Sequence, residues 1–260
     1  MPLLPTWFSA AAAGVTGLVV GSFLNVVAYR LPAGKSLASP GSSCPHCAAP
    51  IRAWDNIPVL SWLVLGGRCR SCRAPISWQY PVVELMTGGL FAAVGARFPW
   101  SPLEVALLVF VAAGVVIAVI DIRERVIPAK LVWGAGLPGL GLLVLASLTA
   151  GTPGRLGLAL GGGAAAFGAF YLVWYLRPGG IGFGDVRLAA LLGLFVGWLG
   201  PGELFVALFA ACLTGAAVGV PLALIGGGGR RLAIPFGPFL MVGSLIGIFA
   251  GPQLVHLWLG

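Results

Sequence analysis

The amino-acid sequence predicts an all-α, polytopic membrane protein with about eight transmembrane helices. Three observations predict it. Of the 260 residues, 59% are hydrophobic and only 8% are charged, whereas a soluble globular domain carries about 25% charged residues. The mean hydropathy is +1.02. The apolar residues also fall in long runs, near the roughly 20 residues a helix needs to cross a bilayer. This composition excludes a soluble enzyme. It also excludes a disordered chain, which requires low hydrophobicity. The 41 Gly and 20 Pro follow no Gly-X-Y period, so a collagen is excluded. In so apolar a chain, abundant Gly signals close helix packing in lipid.

The expected spans are 7–29, 80–98, 103–122, 130–149, 155–176, 186–200, 204–226 and 235–258. The sixth is short, and so is expected to be tilted or extended at either end. The expected organisation is a first transmembrane helix over 1–29, a long polar loop over 30–79, and a seven-helix membrane domain over 80–260. The first apolar stretch lacks a basic flank and is too long for a cleavable signal peptide. Two stretches are Gly-rich: 161–168, inside a span and suited to helix contact, and 226–229, expected as a loop leading to Arg230 and Arg231. No internal repeat is evident.

The net charge is +8. Such a balance fits either nucleic acid or a membrane surface. In a chain this apolar the positive-inside rule accounts for it, so the expected partner is the lipid bilayer and not nucleic acid. Of the 15 Lys and Arg, 13 fall in the connections after the first, third, fifth and seventh spans, and only Arg97 and Arg155 on the other side. That asymmetry places the 30–79 loop in the cytoplasm and both termini outside.

Four of the five cysteines form two pairs within that loop, Cys44-Pro-His-Cys47 and Cys69-Arg-Ser-Cys72. This Cys-x2-Cys…Cys-x2-Cys spacing is close to that of a zinc ribbon, in which each pair presents two thiolates to one tetrahedral ion. A cytoplasmic location disfavours structural disulfides. Nearby Arg68, Arg70 and Arg73 are expected to favour the thiolate. Two redox pairs, or cysteines with no ligand role, are the other readings. A four-Cys zinc site is closed, and so structural rather than catalytic. His46 is expected at the surface, and Cys212 as a small hydrophobe packed within its span.

Asp121 ends the third span and Asp185 opens the sixth. The topology puts both at the cytoplasmic edge of the membrane, where they can meet despite lying 64 residues apart. An ionisable group inside the bilayer costs about 2.5–3.5 kcal/mol, so such groups mark function. Two adjacent carboxylates share one proton, one acting as base toward water and the other as acid. That is aspartic-protease chemistry. The glycines at 179, 180, 182 and 184 permit close backbone approach to a substrate, with Gly182 and Gly184 nearest the acid. The alternative is that each Asp pairs with an Arg or caps a helix, as an Asp at a helix start does. Glu124 lies one turn from Asp121 and is expected as an interfacial partner of an Arg. Gly180-Ile-Gly-Phe-Gly184 lacks the βαβ surroundings of a nucleotide loop.

Together these residues resemble the bacterial type IV prepilin peptidases, of the GxGD class of intramembrane aspartyl proteases, nearly end to end. Gly21-Ser-Phe-Leu-Asn-Val-Val27 through Arg30-Leu-Pro32 resembles the family's opening signature. The knuckles follow, with Asp55-Asn-Ile-Pro-Val-Leu-Ser-Trp62 between the Cys pairs, then Ile76-Ser77 and Tyr80-Pro-Val-Val-Glu-Leu85. Asp121 matches the first catalytic aspartate, Gly182-Phe-Gly-Asp185 the Gly-x-Gly-Asp motif, and Ile234-Pro-Phe-Gly-Pro-Phe239 the closing motif. Three positions depart from the pattern: Arg123 and Ala129 stand where further acids are frequent, and Gln79 where an Arg is common.

The resemblance implies an enzyme of the bacterial inner membrane. It would cleave the basic leader from prepilins or type II secretion pseudopilins on the cytoplasmic side, after a Gly, using Asp121 and Asp185. It also implies N-methylation of the new terminus with S-adenosylmethionine, a function of the N-terminal cytoplasmic region. Two other classes compete: an ion-coupled transporter with the aspartates as a proton relay, and a zinc-bearing scaffold without chemistry. Against the transporter, the spans show no paired halves with matching broken helices.

Overall fold

The computed structural model describes residues 5–225 and 234–259. Arg230, Arg231 and the Gly-rich stretch 226–229 lie outside the described residues. The chain forms α1 (Thr6–Arg30), a short α2 (Leu60–Val64), α3 (Gln79–Arg97), α4 (Pro102–Glu124), α5 (Ala129–Thr149), α6 (Gly154–Leu176), α7 (Phe183–Leu199), α8 (Pro201–Ile225), α9 (Gly237–Phe249) and α10 (Gly251–Leu259). No β-strand occurs among the described residues; two isolated bridges lie between α1 and α3.

Each of the eight expected spans is helical, but they are not eight equivalent spans. Five helices, α1, α4, α5, α6 and α8, are long and apolar enough to cross a membrane, and the bent pair α9 and α10 is a sixth candidate. The pair turns by 72° at Ala250, where Pro252 lacks an N–H for the preceding turn. Helix α7 has 17 residues, about 26 Å of rise, short of the hydrocarbon thickness. It tolerates this because protein surrounds it: Leu188, Leu192, Phe195 and Val196 are fully buried. Helix α3 carries Glu84 and Thr87 within a face buried against protein.

By contacts the chain divides into two compact units, residues 1–100 and 101–260. In the first, α1 and α3 pack antiparallel along small residues. A Cβ on Gly17 would lie 2.7 Å from Phe91 Cβ, and one on Gly95 would lie 2.9 Å from Ser9 O. Within lipid no hydrophobic force drives helices together, so close backbone approach supplies the packing. The polar ends are tied by Asn25, whose Nδ2 donates to Tyr80 O at 3.3 Å. Buried Glu84 accepts the Val59 N–H at 2.7 Å, which holds the loop on α3. Val59 has φ +63°, an unusual conformation for a β-branched residue.

In the second unit α7 is central. Against it, α6 presents the Gly-rich stretch: a Cβ on Gly162 would lie 2.7 Å from Gly193 O and 3.0 Å from Gly197 Cα. Phe110 of α4 stacks on Phe195 of α7, centroids 4.8 Å apart. At the far end Trp198 Nε1 donates to Ser147 Oγ at 2.8 Å, and the Arg155 guanidinium lies over the Trp198 ring. The long faces of α6 and α8 are exposed apolar surface, as lipid contact requires. Cys212 is on that exposed surface rather than packed inside, because α8 buries only one narrow face. Gly162→Val is expected to cost about 1–3 kcal/mol by overpacking, read as a lower thermal midpoint in detergent.

Candidate active site and metal centre

Helix α4 delivers Asp121 from its last full turn. Ile117 and Ile120 are fully buried and fix the helix rotation, so Asp121 is 5% exposed while Ile122, Arg123 and Glu124 face outward. Glu124, one turn beyond Asp121, is exposed because the helix end there projects past the core. The helix stops where Arg125 adopts a left-handed φ of +56°, its N–H bonding Asp121 O.

Helix α7 delivers Asp185 from its first turn. Gly182 precedes the helix, and its N–H donates to Asp185 Oδ2 at 3.0 Å. The Asp185 N–H returns to Gly182 O at 3.0 Å. Asp185 thus does cap its helix, as the bland reading held, and the helix N-terminus favours its negative charge. It is also 8% exposed, which a simple surface cap is not. Gly184 lets Ile127 pack on the helix start: a Cβ there would lie 2.9 Å from Ile127 Cβ. This brings the segment after α4 against the first turn of α7.

A third element completes the site. The Gly237 N–H, at the start of α9, donates to Asp121 Oδ2 at 2.9 Å in a buried bond spanning 116 positions. The sequence reading gave the Phe-Gly-Pro-Phe stretch no role. Its signal was a Gly placed immediately before a helix-initiating Pro. A Cβ on Gly237 would lie 2.7 Å from Asp121 Oδ2. Gly237→Ala is therefore expected to displace the carboxylate and lower kcat by about 10²-fold, with Tm as the control for folding.

The four loop cysteines form one cluster in the first unit. Their Sγ atoms all lie within 4.8 Å of one another, and Cys44 and Cys72 are 3.8 Å apart. A tetrahedral site with metal–sulfur bonds of about 2.3 Å has edges of about 3.8 Å, so the cluster could hold a metal ion. It is built from two copies of one turn. Cys44 N–H bonds Ala49 O and Cys69 N–H bonds Ala74 O; Ile51 N–H bonds Ser42 O and Ile76 N–H bonds Gly67 O. Ala48 and Arg73, each just after the second Cys, have φ near +57° and +59°. The sequence does carry this repeat, Cys-x2-Cys-x-Ala-Pro-Ile at 44–51 and again at 69–76, contrary to the expectation of none.

Backbone N–H groups of Cys47 and then His46 pull the Cys44 thiol down to about 6. For Cys72 the Ala74 N–H lowers it, but desolvation and the other three thiols prevail and push it up to about 11. Arg70, expected to favour the thiolates, instead clasps Asp55 through Nε at 2.9 Å and a second nitrogen at 2.6 Å. Its guanidinium holds the Asp55 carboxyl below the usual range. The pair's contribution to loop order is therefore present above the unfolded carboxylate value of about 3.9 and lost as pH falls through the folded one. Loop proteolysis is expected to accelerate in that acid range, where protonation of the metal-binding thiolates adds to the loss. His46 is exposed, as expected.

Fold and site define a multi-pass helical membrane protein with a buried pair of carboxylates and a separate four-thiol knuckle. Residues 15–98 match the bacterial peptidase A24 N-terminal domain and residues 108–220 the type IV leader peptidase family. The chain is 37% identical to a prepilin leader peptidase/N-methyltransferase of Burkholderia pseudomallei, covering 99% of this chain and 90% of the relative. It is 38% identical to a type 4 prepilin-like proteins leader peptide-processing enzyme of Escherichia coli, over 96% and 94%. A prepilin leader peptidase/N-methyltransferase of Bacillus subtilis is 35% identical, over 94% and 96%. The chain belongs to the type IV leader peptidase family. No solved structure matches it.

Proposed function

We propose that this protein is an intramembrane aspartyl endopeptidase that removes the basic leader from type IV prepilins or type II secretion pseudopilins. It cuts after a Gly, just before the apolar helix of the pilin, at the cytoplasmic face of the bacterial inner membrane. The observation that carries the reading is the convergence of Asp121 and Asp185, both buried, at one end of α4 and α7. Each uses one oxygen to accept a backbone N–H, which fixes its direction and leaves the other oxygen for chemistry.

Two like charges at one site do not both ionise easily, and in this reading the pair shares one proton. The ionised carboxylate takes a proton from water as the hydroxyl adds to the scissile carbonyl. The protonated carboxyl gives its proton to the carbonyl oxygen. Collapse of the resulting diol then breaks the C–N bond, with a proton passing to the leaving amine. Gly182 and Gly184 supply the flexible, side-chain-free approach to Asp185. Acids at helix ends fit this role better than an ion relay, which needs groups near the midplane. The Lys and Arg excess on the same connections supports the cytoplasmic side and contact with anionic headgroups.

Cys44, Cys47, Cys69 and Cys72 would hold a zinc ion, closed and structural, which clips the loop and takes no part in cleavage. Methylation of the new N-terminus with S-adenosylmethionine rests on the relatives' names. The test is incubation of the detergent-solubilised protein with purified prepilin. The reading expects loss of the leader at a Gly, and one added methyl when the donor is supplied. An uncut prepilin would overturn it.

A further inference from the structure

Helix α6 carries an aromatic ribbon that neither the carboxylate pair nor the core explains. Phe167, Tyr171 and Tyr175 follow one another at four-residue intervals and are all exposed. Their rings stack nearly parallel: Phe167 on Tyr171 at 5.7 Å and 14°, Tyr171 on Tyr175 at 6.5 Å and 14°. Trp174 adds to the side of Tyr171 at 5.5 Å. From 167 to 175 the ribbon rises about 12 Å along the helix.

Helix α6 makes ring contacts with the segments that carry both acids. Trp174 meets Phe183 at 5.3 Å, and Phe183 is the first residue of α7, two before Asp185. Phe170, on the same helix, meets Phe236 at 6.2 Å, and Phe236 immediately precedes the Gly237 whose N–H holds Asp121. The ribbon therefore starts at the first turn of α7, which carries Asp185, and runs up the exposed side of α6, while Phe170 makes a separate ring contact toward the Asp121 side.

We propose that this surface receives the apolar helix of the substrate, on the C-terminal side of the cut. The proposal rests on the peptidase reading. In that reading the cut falls just before an apolar helix, so a bond placed between Asp121 and Asp185 must lay that helix on whatever apolar surface begins there. The aromatic surface begins there. Flat, stiff rings bury large area at small entropic cost, and aromatic anchors dominate binding energy at interfaces. An interfacial aromatic belt would place Trp and Tyr at headgroup level around the molecule. These rings instead run along one helix axis and converge on one site.

The test compares two substrates: a prepilin with its apolar helix, and a short soluble peptide spanning only the leader junction. The double substitution Tyr171→Leu and Trp174→Leu keeps the face apolar but removes the rings. The ratio of kcat/KM for prepilin over peptide is expected to fall about tenfold, through KM, the size of losing one interface anchor. An unchanged ratio, or equal losses on both substrates as simple lipid anchoring gives, overturns the proposal. Should the double variant not fold, a benzophenone amino acid at position 171 of the Asp185→Asn protein is expected to capture the prepilin helix. The same probe at exposed position 209 of α8 is expected not to capture it. Equal capture at both, or none at 171, overturns the proposal. A wild type that cuts neither substrate overturns the peptidase reading itself, a distinct result.

Discussion

Asp185→Asn is expected to slow leader cleavage by about 10²–10⁴-fold, the range a positioned acid or base contributes, with little change in folding. Asn keeps an oxygen that can accept the Gly182 N–H, which Asp185 Oδ2 now accepts at 3.0 Å. Only the charge at the helix N-terminus is lost, worth about 0.3–1 kcal/mol. Asp121→Asn is expected to behave alike, because its oxygen can still take the buried Gly237 N–H. Alanine is the less informative replacement. Asp185→Ala deletes a cap and costs about 1 kcal/mol, so lost activity would be mixed with lost stability. Initial cleavage rates beside the thermal midpoint of each variant separate the two effects.

The second large effect is at the knuckle. Stripping the metal, or replacing Cys72 by Ser, is expected to unfold the 42–77 loop while the long helices stay folded. In small zinc modules the metal supplies about 10–16 kcal/mol of folding free energy, more than the few other ties of this loop, the Val59–Glu84 and Trp62–Ile76 bonds and the Trp62–Trp78 contact. Among its described residues only Cys44 is a buried hydrophobe; the Asp55–Arg70 pair is surface-lying, and such pairs contribute little. Elemental analysis is expected to find one zinc per chain. Protease mapping after chelation is expected to cut within the loop and spare α1 and α3. Cleavage of prepilin should be reduced less than by either Asp→Asn change, because four thiolates around one ion leave no open position for chemistry.

The helices were legible because lipid imposes one simple rule, a long apolar run, which five described helices and the bent α9–α10 pair obey. What that rule misses is context. Helix α7 reads as a short span, yet it is the core of its unit, because neighbouring protein replaces lipid around it. The break at Ala250 hides in an apolar run that hydropathy alone reads as one segment.

At the site the two aspartates stood out as acids beside apolar spans. Gly237 did not: the closing motif and its Gly-Pro step mark a helix start, but not that its backbone N–H is given to a residue 116 positions away. Arg70 misled for a similar reason: its sequence neighbours are cysteines, but its spatial partner is Asp55. The doubled knuckle was written openly in the sequence, and becomes unmistakable once matching hydrogen bonds appear in both halves.

The central claim is that Asp121 and Asp185 work as one unit, and a double-mutant cycle tests it most directly. Prepilin turnover is measured for the wild type, Asp121→Asn, Asp185→Asn and the double variant, each confirmed as folded. Groups that share one step are non-additive, so the account predicts that the double variant is no slower than the slower single one. Losses that multiply would contradict it, as would either single variant cutting at the wild-type rate.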